Sequence, residues 1–393
     1  MFYDFDIPID RRESNSHKWA DDSIHNAFPL SLADMDFMAS PAILNALSNK
    51  VKHGVFGYSQ VPDIYYQSII SWFERRYHYH IKKEWILYTT GILPAISATL
   101  KAITHPDDKI IVMEPAYNRF FSSITNAGCH KISTVLKYSK GKYTIDFNDL
   151  ERCAADTSTK VLLLCNPHNP TGRAWSRDEL IRIGDICYRH NVIVISDEVH
   201  CDLVYKEISH VPFDSIPENA NCLSIICVSP SKAFNLSGLK IANIIIKNIT
   251  IRSCIEKQLR INDVSDINVF AIDALIAAYN ESEQWLEFLK LYIHNNYILL
   301  TTMFNKYLPC CTVTNLQATF LCWIDCSSLS LSSDTICKIL RTEAGVVVNS
   351  GSLYGESGNG FIRINIACKK KDLSIALLKI IRVLRKLKSK KSI

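Results

Sequence analysis

The chain has 393 residues, of which 48% are hydrophobic and 21% charged, and its formal net charge is +5. This length and apolar content allow two or three domains with a large core. Acidic and basic residues are mixed along most of the sequence, so a nucleic-acid partner is not indicated.

Cysteine and hydropathy patterns exclude several other classes. The fourteen cysteines are scattered, mostly inside apolar runs, and have no zinc-finger spacing, so we expect free thiols and no metal site. No apolar run approaches the roughly 18 residues of a membrane span, and Met1 to Ser16 lacks the apolar segment of a signal peptide. The expectation is a cytoplasmic protein without a membrane partner. The basic run Arg385 to Lys391 is interpreted as a solvated last helical turn.

The chain begins with an extended arm that reaches about Ser31. Ser40-Pro41 is a helix-start signal, and the helix that follows is expected to run to about Lys52. The loop from Gly54 to Tyr58 then presents a tyrosine. This tyrosine either covers a local cluster or serves a site, and the loop alone does not separate the two.

A glycine turn follows the first predicted strand. Trp85 to Tyr88 is expected to be extended, and a helix should run from the turn to about Ile103. Free backbone N–H groups at such a helix start bind anions, which makes Gly91 and Ile92 candidates for phosphate contact. A plain strand-to-helix turn is the alternative.

Four later strands each end next to a candidate functional residue. The alternation of strands and helices predicts a largely parallel sheet, and ligands bind outside the carboxyl ends of its strands. A capping box at Ser176 opens one of the intervening helices. The strands and their candidates are Lys109 to Met113 with Tyr117, Val161 to Cys165 with Asn169, Val192 to Ser196 with Asp197, and Leu223 to Val228 with Lys232.

Lys232 follows its strand within Ser229-Pro230-Ser231-Lys232. A lysine bonds to an aldehyde only as the neutral amine, so its pKa must fall by roughly 3 units to act near pH 7. Burial beside positive charge does this, and Ser229 and Ser231 would suit the phosphate of an aldehyde cofactor. A solvated turn is the alternative interpretation of this short stretch.

The second half of the chain changes its pattern. Arg252 to Tyr279 is predicted as a helix interrupted near Asn262, and a long helix from about Glu283 to Tyr307 leads to a second domain. Short strands at Phe320 to Ile324 and Gly345 to Asn349 flank a helix from about Asp334 to Glu343. Arg363 lies in an apolar strand, where it meets either a ligand anion or an internal salt bridge.

Taken together, these segments resemble the fold type I enzymes that use pyridoxal 5'-phosphate (PLP), in the aminotransferase class I and II family. The resemblance is strongest to the cystathionine β-lyase-like branch, the MalY/PatB type, and spans nearly the whole chain. It implies an α/β fold in which a mostly parallel sheet of seven strands lies between helices, with a smaller α+β domain. The segments are LADMDF at Leu32, GYS at Gly57, CNPHNPTGR at Cys165, SDEVHCDLVY at Ser196, SPSKAFNLSGLK at Ser229 and GFIRINIA at Gly360.

The resemblance also implies domains and roles. Residues 1–50 would form an N-terminal arm and part of the small domain, residues 51–285 the large PLP-binding domain, and residues 286–393 the rest of the small domain. The implied roles toward the cofactor are covalent attachment for Lys232, pairing with the ring nitrogen for Asp197, a bond to the ring oxygen for Asn169, stacking on the ring for Tyr117, and phosphate binding for Gly91, Ile92, Ser229 and Ser231. The residues implied in substrate binding are Arg363, which grips the α-carboxylate, Asn169, Ala33 and Tyr58. Tyr58 is also implied in catalysis, through its reach into the partner subunit's site.

Two positions depart from the aminotransferase pattern. Residue 240 is Lys, where many relatives carry a phosphate-binding arginine, so Lys240 supplies charge without a planar fork. Residue 200 is His, where aminotransferases place a tyrosine near the ring oxygen, and the lyase branch also has His here. His200 therefore supports the lyase interpretation.

The expected activity is carbon–sulfur β-elimination from cystathionine or a related S-substituted L-cysteine by a homodimer, giving a thiol, pyruvate and ammonia. An aminotransferase that uses the same residues is the first alternative. A family member with an added regulatory role in protein binding is the second.

Overall fold

The structure is a computed structural model that describes residues 3–20 and 27–389. The helices are α1 (Pro41–His53), α2 (Asp63–Tyr77), α3 (Ile92–Ile103), α4 (Asn118–Asn126), α5 (Phe147–Ala154), α6 (Arg177–Arg189), α7 (Ile249–Ile261), α8 (Val269–Glu281), α9 (Glu283–Tyr307), α10 (Ser333–Ile339) and α11 (Lys370–Ser389). The strands are β1 (Phe28–Pro29), β2 (Ile86–Thr89), β3 (Lys109–Glu114), β4 (His130–Val135), β5 (Lys137–Ser139), β6 (Lys142–Thr144), β7 (Thr159–Cys165), β8 (Ile193–Asp197), β9 (Ser224–Val228), β10 (Ala242–Ile245), β11 (Thr312–Val313), β12 (Leu321–Asp325), β13 (Val346–Val347), β14 (Asn349–Ser350) and β15 (Phe361–Asn365).

A seven-stranded sheet organises the molecule, with the strand order β2-β10-β9-β8-β7-β3-β4. The strands from β9 to β4 pair in parallel, and β10 runs antiparallel to both of its neighbours. The predicted, largely parallel seven-stranded sheet is confirmed.

Both faces of this sheet are covered. Along β7, Val161 and Leu163 belong to one buried cluster, whereas Leu162 and Leu164 belong to the cluster on the other face. Successive side chains of a strand point to opposite faces, so an uninterrupted aliphatic run is what a strand buried on both sides requires. Burial of both faces fixes the register, and the register fixes which side chains reach the carboxyl edge.

A second, antiparallel sheet has the order β11-β12-β15-β14. It is formed by the last third of the chain, and α9 leads into it from the larger sheet, as predicted. We propose the division into residues 1–50, 51–285 and 286–393; the first boundary lies inside α1 and the second inside α9.

Most predicted elements lie where the sequence placed them. α7 ends at Ile261 and α8 begins at Val269, which confirms the interruption near Asn262. Ser176 and Glu179 form the predicted capping box at the start of α6. The predicted helix from Asp334 is α10, which continues as a π-helical turn over Leu340–Ala344.

The cysteines, the hydropathy of the helices and the basic C-terminal run are the remaining features that the sequence singled out. All fourteen cysteines lie in the described part and none forms a disulfide. Among residues 3–20 and 27–389, no helix has the length and apolar character needed to cross a membrane. The basic residues up to Lys388 form the exposed last turn of α11, whereas Lys390 and Lys391 lie outside the described residues.

Candidate active site

A cavity of about 450 Å³ opens at the carboxyl edge of the large sheet. It gathers most of the residues that the sequence singled out. Those on its wall are Ala33, Gly91, Ile92, Tyr117, Asn169, Asp197, His200, Ser231, Lys232 and Lys240. A larger surface groove of about 550 Å³, lined by Tyr66, Tyr88 and Arg260 among others, contains none of them.

Lys232 lies beyond the end of β9 with its amine in the cavity. Its Nζ donates to the carbonyl of Ala33 at 2.7 Å and to Ser237 Oγ at 3.4 Å. Burial, together with the nearby charges of Arg363 and Lys240, lowers the pKa of Lys232 to about 8, and the charges of Asp34 and Asp197 act in the opposite direction. A lysine with this pKa is partly neutral near pH 8, which is the form that bonds to a carbonyl.

Asp197 ends β8 and lies at the base of the cavity. Its Oδ1 accepts a hydrogen bond from the N–H of Val199 at 3.2 Å. Burial raises the pKa of Asp197 to about 7, even though the Val199 N–H and the charge of Lys232 act to lower it. A cation brought next to this carboxylate would restore its ionised form, because an opposite charge favours ionisation.

The glycine turn after β2 opens α3 without a side-chain cap. Gly91 has φ +138° and ψ 168°, a conformation that side chains with a Cβ rarely adopt. The uncapped N–H groups of the first turn therefore border the cavity close to Ser231 and Lys240. This combination of N–H dipoles, a hydroxyl and an ammonium suits a phosphate.

Asn169 on the cavity wall is hydrogen-bonded to the buried Arg363. Arg363 Nη1 donates to Asn169 Oδ1 at 3.0 Å, and Nη2 donates to the carbonyl of Ser31 at 2.7 Å. Because Oδ1 is bonded to Arg363, the Asn169 Nδ2 is the amide group left to donate to a ligand. The alternative of an internal salt bridge has no support within the described residues, where no carboxylate pairs with Arg363 and its buried Nε lacks a hydrogen-bond partner.

His200 and Tyr117 complete the wall. The buried His200 has its pKa lowered to about 3 by burial, so its ring is neutral, and its Nδ1 has no hydrogen-bond partner among the described residues. Burial raises the pKa of Tyr117 to about 12, so the phenol keeps its proton. A neutral imidazole and a phenol ring are surfaces for an aromatic ligand.

Three of the candidate residues are not on the cavity wall. Arg363 is buried and meets the wall through its hydrogen bond to Asn169, and Tyr58 and Ser229 lie elsewhere. Tyr58 is exposed in the loop between α1 and α2, so it covers no local cluster, and it does not line this chain's cavity. Ser229 is buried, and its hydroxyl donates to the carbonyl of Ile241 at 2.6 Å. It also accepts from the N–H of Ser231 at 3.1 Å, so in this structure it positions Ser231.

The sequence did not single out Cys165 or Ser237 as wall residues. The Cys165 thiol accepts from the N–H of Asn169 at 3.4 Å, and Ser237 accepts from Lys232. Cys165 ends β7 opposite Asp197 in the register, so the strand-end pattern that predicted Asp197 would also have identified it.

The wall fits the cofactor that the sequence resemblance implies. The amine of Lys232 suits an aldehyde, the uncapped start of α3 suits a phosphate, and the buried Asp197 suits a ring nitrogen. The buried Nδ1 of His200 has no hydrogen-bond partner among the described residues. Buried polar atoms are rarely left unpaired, so this nitrogen supports a ligand in the cavity.

Comparison with known proteins adds independent findings. The family model described as aminotransferase class I and II matches residues 26–380. Cystathionine beta-lyase PatB of Bacillus subtilis is 34% identical over 96% of this chain and 98% of its own length. Protein MalY of Escherichia coli is 31% identical over 98% of this chain and 99% of its own length. The crystal structure of cystalysin from Treponema denticola, which contains a pyridoxal 5'-phosphate cofactor, has a TM-score of 0.95 and 32% identity, and covers 98% of this chain and 100% of that chain.

Proposed function

The chain belongs to the aminotransferase class I and II family, and from this premise we propose that it is a PLP-dependent carbon–sulfur β-lyase. Its substrate is cystathionine or a related S-substituted L-cysteine, which is cleaved to a thiol, pyruvate and ammonia. The observation that carries the proposal is the amine of Lys232 in a cavity between the buried Asp197 and the uncapped start of α3. Relatives such as PatB, named as cystathionine beta-lyase, support the choice of reaction.

We assign the cofactor to the wall residues already described. Lys232 would hold its aldehyde, Gly91, Ile92 and Ser231 its phosphate, and Lys240 would add charge. When bound, PLP supplies an electron-accepting ring next to the substrate carbon that loses a proton.

Four wall residues would orient and polarise the ring of the cofactor. Asp197 offers a carboxylate to the ring nitrogen, Asn169 its Nδ2 and His200 its imidazole near the ring oxygen, and Tyr117 a stacking face. Asp197, Asn169 and His200 are buried and Tyr117 is partly buried, and this limited access of water strengthens the electrostatic contacts.

Lys232 and Arg363 act on the substrate. Once free, Lys232 removes the proton from the substrate Cα as a neutral amine, and its pKa of about 8 leaves enough neutral amine for this at mildly alkaline pH. Arg363 grips the substrate carboxylate with its planar fork, together with Asn169 and the backbone of Ala33. Loss of the thiolate from the β-carbon completes the elimination, and one water then hydrolyses the released 2-aminoacrylate, through its imine form, to pyruvate and ammonia.

We also propose that the enzyme is a cytoplasmic homodimer. The exposed Tyr58 lies beside the exposed Val55 and Phe56, a surface that a partner subunit would cover. Tyr58 would then reach the partner's cavity. The free state of all fourteen cysteines suits a reducing compartment.

The aminotransferase remains the second candidate, favoured by the family model that matches most of the chain. It would use the same Lys232 but return the proton to the cofactor instead of expelling a thiolate. His200 in place of a tyrosine argues for the lyase.

The test is to mix the purified holoenzyme with L-cystathionine and to follow pyruvate and the cofactor spectrum together. Pyruvate with an unchanged final spectrum is the expected result. Conversion of the cofactor to its amine form without pyruvate, reversed by a keto acid, would identify an aminotransferase. Release of no pyruvate from any S-substituted cysteine would overturn the proposal.

A further inference from the structure

A segment far from Lys232 in sequence crosses the cavity margin next to its amine. This acidic segment, residues 31–37, is tied by its backbone to the lysine loop and to β15. The carbonyl bonds are Ala33 O from Lys232 Nζ at 2.7 Å, Ser31 O from Arg363 at 2.7 Å, and Leu32 O and Asp34 O from Asn365 at 2.6 and 2.7 Å.

Two cations from the N-terminal arm hold the acidic segment from the other side. Arg11 donates to Asp34 Oδ2 at 2.8 Å and to Asp36 Oδ1 at 2.6 Å. The fully buried side chain of Lys18 donates to Asp36 Oδ2 at 2.8 Å and lies 3.7 Å from Asp34 Oδ1. Two cations thus face two carboxylates, and burial makes this pairing stronger than at an exposed surface.

The carboxylates of Asp34 and Asp36 differ in their relation to Lys232. Asp34 follows Ala33, the residue whose carbonyl accepts from Lys232, and its Oδ1 has no hydrogen-bond partner among the described residues. Its charge, more than that of any other group, favours the protonated form of Lys232. Asp197 acts in the same direction, and Arg363 and Lys240 act against it. Asp36 is bound to the same arm but is not among these groups.

We propose that Asp34 is a positioning residue for Lys232. Its carboxylate, held in place by Arg11 and Lys18, stabilises the protonated amine and so raises the pH at which Lys232 becomes a base. The inference rests on the proposed function only in assigning Lys232 as the reactive lysine. The N-terminal arm is thereby part of the catalytic machinery, although it is remote from the sheet.

The test compares Asp34→Asn with the matched control Asp36→Asn. Each replacement is isosteric and leaves an oxygen for Arg11. The first readout is the pH midpoint for acetylation of Lys232 in the cofactor-free full-length chain, measured by peptide mass spectrometry. The second is the pH titration of the holoenzyme's visible absorption band.

Removal of the Asp34 charge should lower the midpoint by about one pH unit, because a carboxylate close to an amine stabilises its charged form. Asp36→Asn should leave the midpoint where it is. No shift in Asp34→Asn, or equal shifts in both variants, would overturn the inference. Because acetylation does not depend on turnover, a protein without lyase activity can still give the expected shift.

Arg11→Gln provides a second measurement if Asp34→Asn does not fold, as judged by circular dichroism. This variant keeps the Asp34 carboxylate and removes one of its two cationic neighbours, so the midpoint should rise. If the Asp34 charge acts on Lys232, the acetylation midpoint should rise in Arg11→Gln and fall in Asp34→Asn. A fall in Arg11→Gln would mean that displacement of the acidic segment controls Lys232, and would count against the role of Asp34.

Discussion

The two sides of the cavity are built in different ways. On the sheet side, Asp197 ends β8, and Asn169 and Lys232 follow the ends of β7 and β9, so each is positioned by its own strand. On the opposite side, the acidic segment bonds to Arg363, which is 332 positions away in sequence, and to Lys232, which is 199 positions away. The sheet side is therefore encoded locally, whereas the other side exists only when distant segments are packed together.

This difference suggests a division of labour. Groups fixed by a buried sheet move little, which suits a bound cofactor that must keep one orientation. Groups held between the arm and the small sheet depend on a few polar contacts, which suits a substrate that must enter and leave. Variants on the sheet side should therefore lower kcat most, and variants on the other side should affect substrate binding.

The largest loss should come from Lys232→Ala. A general base contributes roughly 10² to 10⁴ in rate, and the covalent link to the cofactor is lost as well, so turnover should fall by at least about 1,000-fold. The measurement is steady-state pyruvate release together with the absorbance of the bound cofactor. Lys240→Ala removes the other lysine of the cavity and should cost much less. Activity of Lys232→Ala within tenfold of the parent would refute its role as the base.

Asp197→Asn should follow, with a loss of at least about 100-fold in kcat. Loss of roughly 2.7 kcal/mol of transition-state stabilisation corresponds to that factor, and an amide cannot keep a ring nitrogen protonated. The control is Asp185→Asn, since Asp185 is exposed on α6, pairs with Arg189 and does not line the cavity. A near-normal rate in Asp197→Asn, or equal losses in both variants, would show that the ring nitrogen is not held by Asp197.

The same contrast explains what could be predicted from sequence. β7 was predicted because its aliphatic run is buried on both faces, whereas β4 was missed because it is an edge strand with one buried residue. Only the last turn of α11 was predicted, from the basic run that begins at Arg385, although the whole helix has a regular apolar spacing. Asp34 could not be placed, because nothing local in the sequence shows that the acidic segment lies beside Lys232.

Arg363→Lys tests the packed side of the cavity. Lysine keeps the charge but loses the planar fork, so KM should rise by about 10-fold to 100-fold, the equivalent of one charged hydrogen bond, while kcat changes less. Separate values of kcat and KM for L-cystathionine check this. Arg173→Lys is the control, since Arg173 bonds to Glu179 and does not line the cavity. A loss confined to kcat would place Arg363 on the chemistry instead of on substrate binding.

Ser176→Ala should have the smallest effect on activity. It tests whether the sheet side of the cavity depends only on local structure. Ser176 caps α6 by accepting from the N–H of Glu179 at 3.2 Å, while Glu179 accepts from the N–H of Ser176 at 2.8 Å. Removing the hydroxyl leaves the first turn uncapped, so the free energy of unfolding should fall by about 1 kcal/mol without a change in kcat/KM. Urea denaturation and steady-state kinetics measure the two quantities, and Ser176→Asp, which keeps an acceptor, should retain the stability. Because the cap acts within one turn of one helix, a change in kcat/KM here would mean that even the sheet side depends on packing between distant segments.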